Sequence, residues 1–208
     1  MPTPAQAANT PASGTGTAIG RILWNGQPMA GVTVKLCTDW EIIGGCKTTE
    51  YKAITNEDGR YTIAELPVGD YYLFAINPGL KNETGWLDKK VTVVAGQTVT
   101  IQDENVFKYD LKLTSPDNDV TVTSNMPTLE WEAYPDAAYY EVWVAYLETF
   151  ASNLALPKNV VSQEKVSVPQ YIFKNPLVHD KYYWSIQAYN AAGIKISESE
   201  PFSFVVAP

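Results

Sequence analysis

The chain has 208 residues, 45% of them hydrophobic and 18% charged, with 14 Pro, 13 Gly, 13 Tyr, 6 Trp, two Cys and one His. That length makes one large domain or two small ones, and that apolar fraction excludes a disordered chain. A net charge of −8 argues against nucleic acid as a partner, and one His with two Cys cannot assemble a zinc site of the usual kind.

Residues 1–16 carry no charge and are rich in Pro, Ala, Thr and Gly. Such a stretch buries nothing, and reads as a flexible tether left where an export signal or lipid anchor was removed, the alternative being an ordinary frayed terminus. No run of 18 apolar residues follows, so membrane tethering is expected only through that missing N-terminal anchor.

From Thr17 the chain reads as short strands between turns. Thr17 to Trp24 is the first run, Asn25-Gly26 a turn, and Val32, Val34 and Leu36 alternate with Thr33 and Lys35, which puts Lys35 toward water. Tyr51 to Thr55 leads into Asn56-Glu-Asp-Gly59, a strong turn signal because Gly takes positive φ cheaply. Arg60 to Leu66, a turn at Pro67-Val-Gly69, and Asp70 to Ile76 come next. Lys89 to Val94, Gln97 to Ile101 and Val106 to Leu113 complete a first module over 17–113. A second spans 114–208 and is the more acidic, with 5 Lys/Arg against 11 Asp/Glu where residues 15–113 carry 10 against 12. In it, Leu129 and Trp131 alternate with Glu130 and Glu132, and Tyr140, Val142 and Val144 with Glu141 and Trp143. The stretch Thr149 to Leu156 reads as a helical turn inside an unusually long connection from Leu147 to Lys165. The pattern is therefore all-β in two modules, the first a sandwich or small barrel.

Pro28-Met-Ala-Gly-Val-Thr-Val-Lys-Leu36, Thr55-Asn-Glu-Asp-Gly-Arg-Tyr-Thr-Ile63 and Leu66-Pro-Val-Gly-Asp-Tyr-Tyr-Leu73 resemble the carboxypeptidase regulatory-like domain. That resemblance implies a transthyretin-like or prealbumin-like sandwich, similar also to the Cna-B repeats of surface adhesins, and a non-catalytic part of secreted and surface proteins. Some adhesin relatives join a Lys to an Asn by an isopeptide bond. None is expected here, since Lys35 alternates outward and Glu65 is out of register. Pro127 to Pro135, Tyr182-x-Trp184-x-Ile186-x-Ala188 and Asn190-x-x-Gly193 resemble a fibronectin type III domain. The resemblance implies that Trp131 is its core tryptophan and Tyr182 its tyrosine-corner residue, and the two resemblances together imply an all-β fold of two tandem β-sandwiches. No Arg-Gly-Asp tripeptide occurs, so integrin-type adhesion does not carry over.

Cys37 and Cys46 stand at the two ends of one hairpin-like excursion, where a disulfide fits; two buried thiols are the alternative. A disulfide places the protein outside the cytoplasm, extracellular or at a cell surface. Trp40, inside that excursion, and Trp86, in the segment 80–87, are candidate ligand-binding aromatics for a sugar face or a protein partner; the alternative is that both cap the ends of the sandwich. His179 beside Asp180 lacks a nucleophile or oxyanion motif and reads as a turn residue. Glu130/Glu132 and Glu198/Glu200 read as solvated strand faces rather than glycosidase pairs. Asn56-Glu57-Asp58 and Asp117-Asn118-Asp119 read as Asx turns before calcium sites. No catalytic residue, metal or cofactor is assigned. The expected function is a non-catalytic surface spacer or presentation unit with carbohydrate or cell-surface protein recognition. An accessory segment of a larger secreted hydrolase is the rival.

Overall fold

The computed structural model describes residues 14–41, 45–47, 50–75, 86–149 and 155–208, and among them every regular element is a strand. These residues form two units, 14–22, 28–75 and 86–104 in the first, 23–27 and 105–208 in the second. The chain is all-β and layered as sheets facing one another.

In the first unit the strand Thr15–Trp24 is the spine of one sheet. It pairs antiparallel with Arg60–Pro67, placing Ala18 opposite Ile63 and Gly20 opposite Tyr61, and parallel with Thr98–Thr100. The other sheet runs Glu50–Ile54, Thr33–Cys37, Gly69–Ala75, Trp86–Val93, each antiparallel to its neighbour. Alternation, interrupted by a bulge with Glu65 at φ +56 between Ile63 and Leu66, sends Ala18, Ile22, Tyr61, Ile63 and Leu66 from one sheet and Val34, Leu36, Tyr71, Leu73 and Val91 from the other into the interior, all buried. Gly20 is required beneath the Tyr61 ring, because a Cβ there would lie 2.4 Å from the phenol oxygen. Gly59 turns the chain at φ +71, with the Ile22 carbonyl oxygen only 2.3 Å from where a Cβ would sit.

Thr33–Cys37 is buried on both faces, which corrects the expectation for Lys35. Its Nζ does not face water; the residue is 8% exposed and pairs with the Glu50 carboxylate at 2.8 Å. Lys35 lies opposite Phe74, itself buried, so the outer side of this sheet is covered rather than wet. Alternation assigns a side chain to a face, and says nothing of what then covers that face. Cys37 is on that outer side too. Its disulfide to Cys46, at a Cα–Cα distance of 5.7 Å, brings the short ladder Trp40–Glu41 with Gly45–Cys46 back to the sheet edge.

The second unit is built on a sheet ordered Lys108–Leu111, Lys195–Ser199, Lys181–Tyr189, Tyr139–Thr149, Ala155–Val166, with Phe202–Val206 also on Lys181–Tyr189. A three-stranded sheet of Leu113–Ser115, Thr128–Trp131 and Gln170–Ile172 faces it. Between them lie Trp131, Tyr140, Val142, Tyr182, Trp184, Ile186 and Phe204 in one buried cluster. Trp131 meets Tyr140 edge-on at 5.3 Å between ring centroids.

Three expectations change. Residues 108–113 do not finish the first module: Lys108–Leu111 pairs parallel with Lys195–Ser199, and Leu113–Ser115 pairs with Thr128–Trp131. The stretch 147–165 is no loose connection; Ala155–Val166 returns along Tyr139–Thr149, with Thr149 opposite Ala155. Of the helical turn expected over Thr149 to Leu156, Thr149, Ala155 and Leu156 are strand and 150–154 lies outside the described residues. The first strand begins at Thr15, and the rest of the tether, residues 1–13, also lies outside them.

Both units anchor a strand with the same device. The Tyr71 hydroxyl donates to the Pro67 carbonyl at 2.8 Å, and the Tyr182 hydroxyl to the Val178 carbonyl at 3.0 Å, each four residues upstream. Two outcomes follow from this architecture. Replacing Cys37 and Cys46 by Ser lowers urea-unfolding stability by about 2.5–3 kcal/mol, the chain-entropy value for so short a loop. Tyr182→Phe lowers it by about 1 kcal/mol through the lost hydroxyl bond; an unchanged midpoint would show that this bond contributes nothing.

Candidate functional site

The two tryptophans singled out in the sequence both belong to strands of the first unit. Trp40 opens the two-residue ladder beside the disulfide, opposite Cys46, and Trp86 is the first residue of Trp86–Val93, opposite Phe74. Thr33–Cys37 and Trp86–Val93 flank Gly69–Ala75, with Cys37 opposite Tyr72 and Trp86 opposite Phe74, two residues apart along that strand. The side chains of Trp40 and Trp86 lie outside the described residues.

The polar candidates are already engaged. His179 contacts the Val206 carbonyl oxygen through Nδ1, so that nitrogen carries the proton and serves the turn. Asn56 Oδ1 accepts from the backbone N–H of Asp58 at 3.1 Å and of Arg60 at 2.9 Å, an Asx turn rather than an open ligand set. Asn118 Oδ1 accepts from the Ser203 N–H, and Asp119 pairs with Lys181 at 2.6 Å. Among the described residues no group of three or more His, Cys, Asp or Glu side chains stands together as a metal site.

A groove of about 330 Å³ lies instead on the outer face of the second unit's large sheet, lined by Trp143, Ala145, Asn159, Tyr183, Ser185 and Gln187, with Glu198 and Pro201 at its side. Its shape follows from register. Trp143 is directly opposite Ser185, and Ala145 directly opposite Tyr183. Each cross-strand pair thus sets one ring against one small side chain, and the two rings fall on a diagonal, about 7–8 Å apart at the backbone. Ala145 and Ser185 form the floor between them.

The neighbouring strand shapes the rim. Glu164 pairs with Val142 and Val161 with Val144, which leaves Ser162 and Gln163 together opposite Trp143, a β-bulge with Gln163 at φ +54. Bulges bend a strand and redirect its side chains. Asn159, next along, is opposite Ala145 and completes one wall.

Toward one end the face closes on itself. Tyr139 and Tyr189 stack at 5.0 Å with ring planes 2° apart, and the Lys165 ammonium sits 4.5 Å from the Tyr139 centroid. The Tyr189 hydroxyl donates to Gln187 Oε1 at 2.8 Å, and burial, reinforced by Glu141, pushes the Tyr189 phenol well above its ordinary value. Glu198 is braced by Lys195 at 2.9 Å. Two larger depressions offer less. One of about 450 Å³ along 115–130 has no aromatic side chain among its lining residues, and one of about 480 Å³ along 109–113 is lined by Tyr109 and Phe202 beside the buried Leu111 and Leu113, with Phe202 packed on the core.

Sequence reading placed Trp143 on the outward side of its strand without drawing the consequence: a large ring on a wet face has no core to fill. Tyr183 carries the same signal, alternating with Tyr182 and Trp184. The diagonal that joins them depends on pairing register and could not be read from either strand alone.

The carboxypeptidase regulatory-like domain family matches residues 20–104. No curated protein matches the chain. Among solved structures, an Fn3-like protein from Clostridium thermocellum is 18% identical at a TM-score of 0.31, covering 50% of this chain and 94% of its own. A DUF3823 family protein from Bacteroides ovatus is 16% identical at 0.31, covering 91% and 98%. BcpA, the major pilin subunit of Bacillus cereus, in its D312A form, is 14% identical at 0.32, covering 94% and 70%.

The phenols of this unit make a pH prediction. Burial first, then their hydrogen-bonded carboxylates, push Tyr134 and Tyr171 up to about 12, and burial with Glu198 does the same for Tyr109. A phenol that ionises at about 10 once unfolded favours the folded state below that pH, and its contribution is lost as pH rises toward about 12. Stability curves are therefore expected to fall across that window, with tyrosinate absorbance from these residues appearing only as the protein unfolds. Full ionisation near pH 10 with the fold intact would contradict it.

Proposed function

We propose that the chain is a non-catalytic module pair that works outside the cytoplasm at a cell surface, as a spacer or presentation unit with recognition of carbohydrate or protein. The Cys37–Cys46 disulfide carries this reading, since such bonds persist in oxidising compartments and are rare in cytosolic proteins. The family match over residues 20–104 agrees with a regulatory-like first module.

The second unit is read as fibronectin type III-like. Three observations support that: the buried Trp131 against Tyr140, the Tyr182 hydroxyl on the Val178 carbonyl, and the tight turn in which Gly193 donates to the Asn190 carbonyl at 3.0 Å. A non-catalytic role is supported by the engagement of His179 with backbone and by carboxylates that are ion-paired along strand faces, such as Glu132 with Lys112 and Glu198 with Lys195.

The reading is tested on protein recovered from cells that make it. Fractionation with thiol alkylation is expected to find it in the surface or secreted fraction, with both cysteines refractory to alkylation until reduced. Recovery from the cytosol with two alkylatable thiols would overturn it. Immunoblotting the same fractions separates the rival, because a band far larger than this chain favours an accessory segment of a larger secreted hydrolase.

A further inference from the structure

We infer that the outer face of the second unit's large sheet binds a neutral oligosaccharide, with Trp143 and Tyr183 as stacking rings and Asn159, Ser185, Gln187 and Glu198 as hydroxyl partners. The inference names the site and ligand class for the recognition function proposed above and rests on that reading.

Both rings lie outside the core, with Trp143 Nε1 buried in the face and without a hydrogen-bond partner among the described residues, and with the Lys181 ammonium 5.7 Å from the Tyr183 centroid. Neither Trp143 nor Tyr183 belongs to the buried cluster of this unit or to the half-buried side chains packed against it, and Tyr183 is 38% exposed. Tyr139 and Tyr189, on the same face, are already stacked on each other. Trp143 and Tyr183 instead stand on a diagonal with small residues between them, so their faces border open space above Ala145 and Ser185. Two rings offset in this way present apolar faces to the C–H side of successive ring-shaped units along a chain.

The polar lining selects hydroxyls. Gln187 Oε1 is occupied by the Tyr189 hydroxyl, which orients the carboxamide and turns its NH2 to donation. The Glu198 carboxylate, held by Lys195, accepts; Ser185 and Asn159 both donate and accept. Vicinal hydroxyls of a sugar need that mixture of donors and acceptors close to an apolar surface.

Charge argues against anionic ligands. Among the described residues no Lys or Arg lines the groove itself, Lys195 offsets Glu198, Lys181 stands 5.7 Å from the Tyr183 centroid, and residues 114–208 hold 11 acidic against 5 basic side chains, so a phosphate, a nucleic acid or a uronate meets a net negative unit. A volume of about 330 Å³ lies at the lower end for small-ligand sites.

The test is an immobilised array of neutral gluco-, manno-, xylo- and galacto-configured hexasaccharides beside uronic-acid oligomers, probed with the whole chain. Binding is expected to at least one neutral hexasaccharide, reduced about tenfold or more in Trp143→Ala and in Tyr183→Ala. It is expected to persist in Trp40→Ala and Trp86→Ala. Thermal unfolding of the two groove variants, near wild type because neither ring is in the core, shows that lost binding is not lost folding. Ser185→Trp, which fills the floor, is expected to block binding while leaving both rings in place. The inference is overturned if no neutral hexasaccharide binds, if only uronic-acid oligomers bind, if binding disappears with Trp40 or Trp86 alone, or if folded Trp143→Ala binds like wild type. A blank array leaves the surface-spacer reading standing, since that depends on the disulfide and the fraction in which the protein is found.

Discussion

The second unit depends on the period-two alternation of one strand, Lys181–Tyr189. It is bordered on both sides, by Tyr139–Thr149 along one edge and by Lys195–Ser199 and Phe202–Val206 along the other, so its register is fixed three times over. Its inward residues, Tyr182, Trp184, Ile186 and Ala188, are each at most 1% exposed and hold the core together. Its outward residues, Tyr183, Ser185, Gln187 and Tyr189, form the face that carries the groove. A slip of one residue would exchange these sets and bury a glutamine where an isoleucine now sits, at the cost of an unsatisfied polar group. The same constraint therefore supplies stability and positions the candidate site.

The first unit solves a different problem. Its strand Thr33–Cys37 is covered on both faces, and the covered outer side holds a lysine. An unpaired ammonium there would be costly, so Glu50 at the start of the adjacent strand supplies the counter-charge at 2.8 Å. The disulfide leaves from the last residue of the same strand, tying the following excursion to the sheet where hydrogen bonding along the strand stops. A short cross-link restricts the unfolded chain.

Much of this was legible in the sequence because the relevant signals are local. The Arg60–Pro67 pattern, the Asn56–Gly59 turn and the Tyr182/Trp184/Ile186 stripe each sit within a few residues and follow from strand pleat and turn geometry. What was not legible is non-local. The pattern of Lys108–Leu111 identifies a strand and not its partner, and the partner turned out to be Lys195–Ser199 of the second unit. Lys35 alternates outward as expected, yet what lies over that face is decided by distant chain. The candidate site is of the same kind. Tryptophans in apparent loops drew attention to Trp40 and Trp86, whereas Trp143 and Tyr183 become neighbours only through the pairing of Trp143 with Ser185 and of Ala145 with Tyr183.

The separation of the two faces is tested most directly by urea unfolding of Trp184→Ala and Trp143→Ala side by side. Each removes an indole from the same sheet, one from its inner face and one from its outer face. Loss of the buried Trp184 ring is expected to cost about 3–5 kcal/mol, and loss of Trp143 less than about 1 kcal/mol. Equal costs would mean that Trp143 belongs to the core, and that the outer face is packing surface rather than a site.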